Sequence, residues 1–160
     1  MRMTETHKAD SPGVRYPPPV IYVTGFLIGY GMTRAAPVGE WVGWLPRAVG
    51  AALAALGVLI ALWAIALFWL NHTAVLPHKP ASRLINGRGP YRVTRNPMYL
   101  SLSLVYLGVA IFVRTGWAIM LLPLVLVAVT RLVIAREEAY LARRFGQEYL
   151  SYKDRVRRWL

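Results

Sequence analysis

Four apolar runs divide the chain, each bounded by proline, glycine or arginine. The first, roughly Val20 to Thr33, follows Pro17-Pro18-Pro19 and carries Gly25, Gly29 and Gly31, small residues suited to close helix contact. The second, Ala48 to Leu70, runs 23 residues without a charge, enough to cross a bilayer as a helix. The third, Pro97 to Val113, and the fourth, Gly116 to Val133, are separated by Arg114-Thr115 alone. So short a link predicts a tight antiparallel hairpin. Beyond the fourth run, Glu137 to Phe145 lacks proline and glycine, Gly146 offers a helix C-cap, and Gln147 to Trp159 reads as a second short helix. Leu141, Phe145, Tyr149, Tyr152, Val156 and Trp159 recur at spacings of three or four. Such a stripe suits either an interfacial anchor or a lid over a cytosolic pocket. The pattern predicts an all-α integral membrane protein with about four transmembrane helices, the last two a hairpin, followed by amphipathic cytosolic helices. The whole of 1–160 reads as one domain. Residues 1–70 form a tail and two spans, and 71–160 form a loop, the hairpin and the C-terminal helices.

Composition agrees. The 160 residues are 56% hydrophobic, with a mean hydropathy of +0.40, too apolar for a soluble domain of this size. The absence of cysteine excludes a disulfide framework and thiolate zinc ligation, and three scattered histidines lack metal-ligand spacing. The N-terminal tail to Tyr16 is polar and does not read as a signal peptide.

The net charge of +12 would suggest nucleic acid in a soluble protein. Here the basic residues flank apolar runs, which points to anionic lipid headgroups and topology, with no nucleic-acid partner. Given four spans, sixteen basic residues fall on one face. They are Arg2, Lys8 and Arg15; then Lys79, Arg83, Arg88, Arg92 and Arg95; then Arg131 and seven more down to Arg158. Only Arg34, Arg47 and Arg114 fall on the other. The bias predicts that both termini are cytoplasmic.

Candidate chemistry gathers on that basic face. Asn86-Gly87 and Gly89-Pro90 are turn signals, and Asn96-Pro97 reads as an N-cap followed by proline at the first helical position. Backbone N–H groups at that helix start favour an anion. Arg95 is suited to hold a carboxylate, and Tyr91 and Tyr99 offer aromatic faces to a cation or an adenine. The bland alternative is a basic loop with interfacial tyrosines. Gly87-Arg88-Gly89 is not a dinucleotide fingerprint, because the third glycine is missing. Glu137 and Glu138 have no basic residue three or four positions away, where a helical glutamate commonly finds one. Each must therefore find its partner on another segment, as a structural ion pair to the loop arginines or as a ligand contact.

Together Gly89-Pro90-Tyr91, Arg95-Asn96-Pro97-Met98-Tyr99, Glu137-Glu138, and Phe145-Gly146-Gln147-Glu148-Tyr149 with Tyr152 and Arg155-Val156 resemble the isoprenylcysteine carboxyl methyltransferase and phospholipid methyltransferase superfamily. The resemblance covers about Lys79 to Arg157. It implies a small bacterial-type membrane enzyme, placed in the inner membrane, that uses S-adenosylmethionine and a lipid-like or prenylated acceptor arriving from the bilayer. Carried across residue by residue, it implies that Tyr91, Asn96, Pro97, Met98, Tyr99 and Glu137 bind the cofactor. Arg83 to Asn86 corresponds to a further contacting segment, of which Arg83 and Asn86 are the candidates. The eukaryotic carboxyl methyltransferases have histidine where this chain has Asn96, so only backbone contacts and the helix cap carry over there. A substrate-binding arginine of those enzymes aligns near Val133. Arg131 and Arg136 flank that position and are the candidates for the acceptor, with Glu138 the candidate partner of an amine.

A sulfonium methyl is already activated, so catalysis consists mainly of aligning an in-line attack. A carboxylate acceptor needs no base, whereas an amine must be neutral, through a base or a depressed pKa. An amine favours a carboxylate such as Glu138, and His72 and His78 are the candidate bases. The resemblance favours a carboxyl O-methyltransferase. A phospholipid amine N-methyltransferase, a four-helix transporter and a structural subunit are the alternatives. A proton-coupled transporter requires an ionisable group inside a span, and none of the four runs holds an internal acid. The oligomeric state is not legible from the sequence.

The charge split generates a topology test. Single cysteines placed at Ser82 and Thr115 of this cysteine-free chain are expected to react with an impermeant maleimide from opposite faces of the membrane. Labelling from one face would overturn the orientation.

Overall fold

The computed structural model of the protein describes residues 13–14, 16–36, 40–70 and 87–160. Arg83 and Asn86, together with His72 and His78, lie outside the described residues. Among those described, every regular element is helical: α1 (Pro18–Ala35), α2 (Arg47–Leu70), α3 (Pro97–Phe112), α4 (Gly116–Val129), α5 (Ala135–Phe145) and α6 (Gln147–Arg155). Short 3-10 turns occupy Glu40–Trp44 and Gly89–Arg92, and a π-helical turn covers Thr130–Ile134 between α4 and α5. The chain divides into two compact units. Among the described residues, one comprises those of Pro17–Ala61 and Met98–Val129; the other comprises those of Met1–Tyr16, Leu62–Pro97 and Thr130–Leu160.

The first unit is built from close backbone approaches. Lipid is as apolar as leucine, so helices associate in it through tight packing and interhelical hydrogen bonds rather than through burial from water. A Cβ at Gly108 of α3 would lie 2.5 Å from the Ala54 nitrogen and the Gly50 carbonyl oxygen of α2. One at Gly29 of α1 would lie 2.5 Å from the Ala118 Cα of α4. Hydroxyls supply the polar contacts. Tyr22 donates to the Tyr99 carbonyl at 3.0 Å and meets Ser103 Oγ at 2.9 Å. Thr33 and Thr115 meet at 2.7 Å, and Tyr106 donates to the Ala118 carbonyl at 2.9 Å. Outward, Leu56 and Leu59 of α2 and Leu124 of α4 expose their side chains, as a lipid-facing surface requires.

α3 starts at Pro97, immediately after Asn96, where proline's missing N–H has no helical partner to lose. The end of the fourth run differs from expectation. The helix does not stop near Val133 but continues through the π turn to Phe145, a stretch of 30 residues. By length and composition, this stretch and α2 are the two described helices suited to cross a membrane. α3 is apolar but has 16 residues, short of the roughly 20 a span uses. Arg114, between α3 and α4, adopts φ 59°, a left-handed conformation that closes the link. Thr115 is fully buried, so the exposed neighbour Arg114 is the better labelling position at that end.

Gly108→Ala is expected to destabilise the protein by about 1–3 kcal/mol, because the added methyl meets backbone that cannot yield. Gly31 has open space around it, and Gly31→Ala is expected to be neutral or to stabilise by up to about 1 kcal/mol through helix propensity. Thermal unfolding in detergent separates the two; equal shifts would refute the packing account.

Candidate functional site

The second unit contains most of the candidate residues. Its loop docks on the end of α2. A Cβ at Gly89 would lie 2.8 Å from Leu67 Cδ1 and 3.0 Å from the Trp63 indole, so only a residue without a side chain lets the loop sit this close. The Tyr91 ring meets Phe68 edge-on, with centroids 6.0 Å apart. After the 3-10 turn, the Thr94 hydroxyl accepts from the Asn96 N–H at 3.2 Å, shaping the approach to α3.

The C-terminal helices meet that loop. In the π turn, the sequence neighbours Val133 and Ile134 are both fully buried. A π turn carries one extra residue, so the inward face moves on by one position. Glu138, one helical turn beyond Ile134, is thereby buried at 8% exposure. Gly146 ends α5 at φ 52°, with its N–H bonded to the Ala142 carbonyl at 3.0 Å, as its C-cap reading requires. α6 then buries Tyr149 and Tyr152. The Tyr152 hydroxyl donates to the Tyr91 carbonyl at 2.8 Å. Through Tyr152 the aromatic stripe of this helix therefore packs against the loop. Burial pushes the Tyr149 phenol up to about 12, with the Glu138 charge adding to the rise and Arg95 and Arg158 opposing it. Burial raises Tyr91 and Tyr152 as well, so all three stay neutral at physiological pH.

α6 stops at Arg155, four residues short of the expected end, and Val156 turns extended at φ −122°, ψ 131°. The tail lies along the loop, and its carbonyls serve the loop's donors instead of continuing a helix. Arg95 N–H donates to the Arg157 carbonyl at 2.9 Å. Thr94 Oγ1 and Asn96 Nδ2 donate to the Arg158 carbonyl at 3.1 and 2.9 Å. Arg95 Nη1 donates to the Lys153 carbonyl at 3.2 Å.

At the centre, Glu138 binds two arginines. Arg158 donates through Nε to Oε1 at 3.0 Å and through Nη2 to Oε2 at 2.6 Å. Arg95 Nη2 reaches Oε1 at 3.2 Å. The fork of Arg158 on the carboxylate is the strong geometry for such pairs. The Glu138 contact also raises the Arg158 guanidinium above its ordinary range. Arg95 has a side chain only 8% exposed, and among the described residues its buried Nε meets no hydrogen-bond acceptor.

The structure thus brings together Arg95, Asn96 and Glu138, and places Tyr91 against α6. Glu137 is half-buried, and its charge acts on Tyr91. Pro97 is buried at the start of α3. Met98 and Tyr99 belong to the other unit, where their carbonyls accept from Ser101 at 2.7 Å and Ser103 at 2.8 Å. Arg131 is exposed on the π turn, and Arg136 is exposed and donates to the Gly13 carbonyl at 3.2 Å. A shallow, open cleft of about 430 Å³ is lined by Gly87, Arg92, Tyr152, Arg155 and Val156, none of which is a candidate site residue from the sequence. Sequence reasoning missed Thr94 and Arg158. The available signal was a Glu138 with no helical partner beside a tail rich in arginine.

A family model described as phospholipid methyltransferase matches residues 45–148, well over half of the chain. The chain belongs to that family. The family lies within the isoprenylcysteine carboxyl methyltransferase-like superfamily of membrane methyltransferases, so the chain is an integral membrane methyltransferase. An uncharacterized protein of Haemophilus influenzae is 41% identical over 63 residues, which are 39% of this chain and all of that protein. No solved structure matches the chain.

A methyltransferase of this family implies a methyl donor, and the residues fit S-adenosylmethionine at one point in particular. The orphaned Arg95 Nε is a buried cationic donor that lacks an oxyanion, and the cofactor's amino-acid end carries one.

Glu138→Ala removes the shared partner of two arginines and is expected to cost about 3 kcal/mol of stability. Tyr152→Phe removes one buried hydrogen bond and is expected to cost about 1 kcal/mol. Chemical unfolding in detergent checks both; a neutral Glu138→Ala would refute the clamp.

Proposed function

We propose that the protein transfers a methyl group from S-adenosylmethionine to a lipid-like acceptor carrying a carboxylate, as isoprenylcysteine carboxyl methyltransferases do. The observation that carries the choice of acceptor is the engagement of Glu138. Both of its oxygens receive guanidinium donors, three contacts in all, so its charge is committed to groups of the protein rather than offered whole to an ammonium. An amine acceptor must lose that proton before it attacks, whereas a carboxylate attacks as it stands. Exposed Arg131 and Arg136 supply cations suited to orient an acceptor carboxylate.

When bound, the cofactor supplies a methyl group activated by its sulfonium. The chain's own residues bind and orient it. Tyr91, Asn96, Pro97, Met98, Tyr99 and Glu137 are the proposed cofactor contacts, with Arg83 and Asn86 preceding them and Arg95 toward the carboxylate. The apolar surface of the helices supports an acceptor that arrives from the bilayer. The sixteen-to-three division of basic residues supports an inner-membrane protein of four spans, with α3 and α4 as a hairpin and both termini cytoplasmic. The description of the matching family favours one second reading, N-methylation of a phospholipid amine. In that case the amine becomes neutral through a depressed pKa or through a base other than the doubly engaged Glu138.

Purified protein is expected to bind S-adenosylmethionine and S-adenosylhomocysteine by calorimetry. Glu137→Ala and Tyr99→Ala are each expected to weaken binding roughly tenfold, the scale of one lost polar contact. Arg131→Ala or Arg136→Ala is expected to lower turnover with cofactor affinity unchanged. Labelled cofactor with a lipid extract, followed by identification of the methylated lipid, reads the acceptor directly. Absence of binding refutes the enzyme reading. A methylated amine supports the second reading, and full activity on a water-soluble acceptor without a hydrocarbon tail refutes access from the bilayer.

A further inference from the structure

Arg158 lies beyond the stretch that the family model matches, yet it makes the closest contact in the clamp. Its Nε and Nη2 occupy both oxygens of Glu138. Arg95 is left to share a single oxygen, Oε1, through Nη2. Its Nη1 is turned to the Lys153 carbonyl, and its Nε is left without an acceptor among the described residues. A guanidinium beside an uncontested carboxylate frequently takes it with two parallel N–H bonds. Arg158 prevents that outcome by filling the fork position first. Its carbonyl meanwhile fixes the residues on either side, Thr94 and Asn96, and the adjacent Arg157 carbonyl holds the Arg95 N–H.

We infer that Arg158 is a positioning residue: by occupying Glu138 it keeps Arg95 from collapsing onto that carboxylate and holds Arg95 Nε available for the carboxylate of the cofactor's amino-acid end. The inference rests on the proposed use of S-adenosylmethionine and adds to it a role for the last residues of the chain. The Arg158 side chain is 38% exposed, so its removal opens no core. The loss should be local, at residues 94–97, and specific to ligands that carry the amino-acid group.

The test uses calorimetry on the full chain in detergent with two probes. S-adenosylhomocysteine carries the amino-acid carboxylate, and 5′-methylthioadenosine lacks it. Arg158→Ala is expected to weaken S-adenosylhomocysteine roughly tenfold or more, the scale of a lost charge-assisted hydrogen bond, and to leave methylthioadenosine within about twofold. Arg158→Lys, which keeps the charge but not the fork, is expected to behave like Arg158→Ala. The decisive variant combines Arg158→Ala with Glu138→Gln. A neutral amide no longer traps Arg95, so the double variant should bind S-adenosylhomocysteine more tightly than Arg158→Ala alone, a coupling that simple loss of structure does not produce. Equal loss for both probes, or further weakening in the double variant, overturns the inference. An Arg158→Ala protein that fails to fold leaves the decision to Arg158→Lys with the same two probes. Wild-type protein that binds neither probe refutes the proposed cofactor itself. Wild-type binding of both probes with Arg158→Lys indistinguishable from wild type refutes only the role of Arg158.

Discussion

A carboxylate buried at 8% exposure is the constraint on which the second unit depends. Taking Glu138 out of water costs several kcal/mol unless its oxygens are met by donors. No residue of its own helix can meet them. The donors come from the loop, through Arg95, and from the last residues of the chain, through Arg158. Satisfying one charge therefore joins three segments that are remote in sequence. The π turn brings Glu138 to the inward face, and Gly146 ends α5 so that α6 can begin. The extended tail then delivers Arg158. Each of these local features makes sense as a means of delivering a donor to that carboxylate.

The other unit obeys a different logic. Between helices facing lipid there is little hydrophobic gain, so contact depends on how closely backbones approach. Gly29 against Ala118, and Gly108 against Gly50 and Ala54, set those approaches. Hydroxyls such as Tyr22 and Thr33 then bond to carbonyls or to each other across helices. Packing of this kind tolerates little added volume, whereas the ionic clamp tolerates little change of charge. The two units are thus vulnerable to different substitutions.

Much of this is legible in the sequence. The apolar runs, the start of α3 at Pro97, the Gly146 cap and the need of Glu138 for a partner on another segment all follow from local rules. What was not legible depends on tertiary demand. Periodicity extended the last helix to Trp159, but the loop's donors claim the carbonyls of Arg157 and Arg158, and the chain there is extended. The same periodicity left an anchor and a lid both open for Tyr149 and Tyr152, because a stripe looks alike whether it meets lipid or protein. The π turn has no composition signal, since Thr130–Ile134 reads as ordinary helix. Arg158 was one basic residue among many, and charge counting carries no information about which arginine reaches which carboxylate.

The use made of Glu138 bears on the chemistry. Methyl transfer from a sulfonium asks little of an acid or a base and much of alignment, because the leaving group is already activated and the attack is in line. An enzyme with such a task gains more from fixing the position of its binding groups than from a reactive carboxylate. Glu138 conforms to that priority. It is a buried acid of the second unit, held between two guanidinium groups that also meet the residues leading into α3. Arg95, in turn, is buried and only partly satisfied, which is costly for a structural residue and reasonable for one whose remaining donor belongs to a ligand.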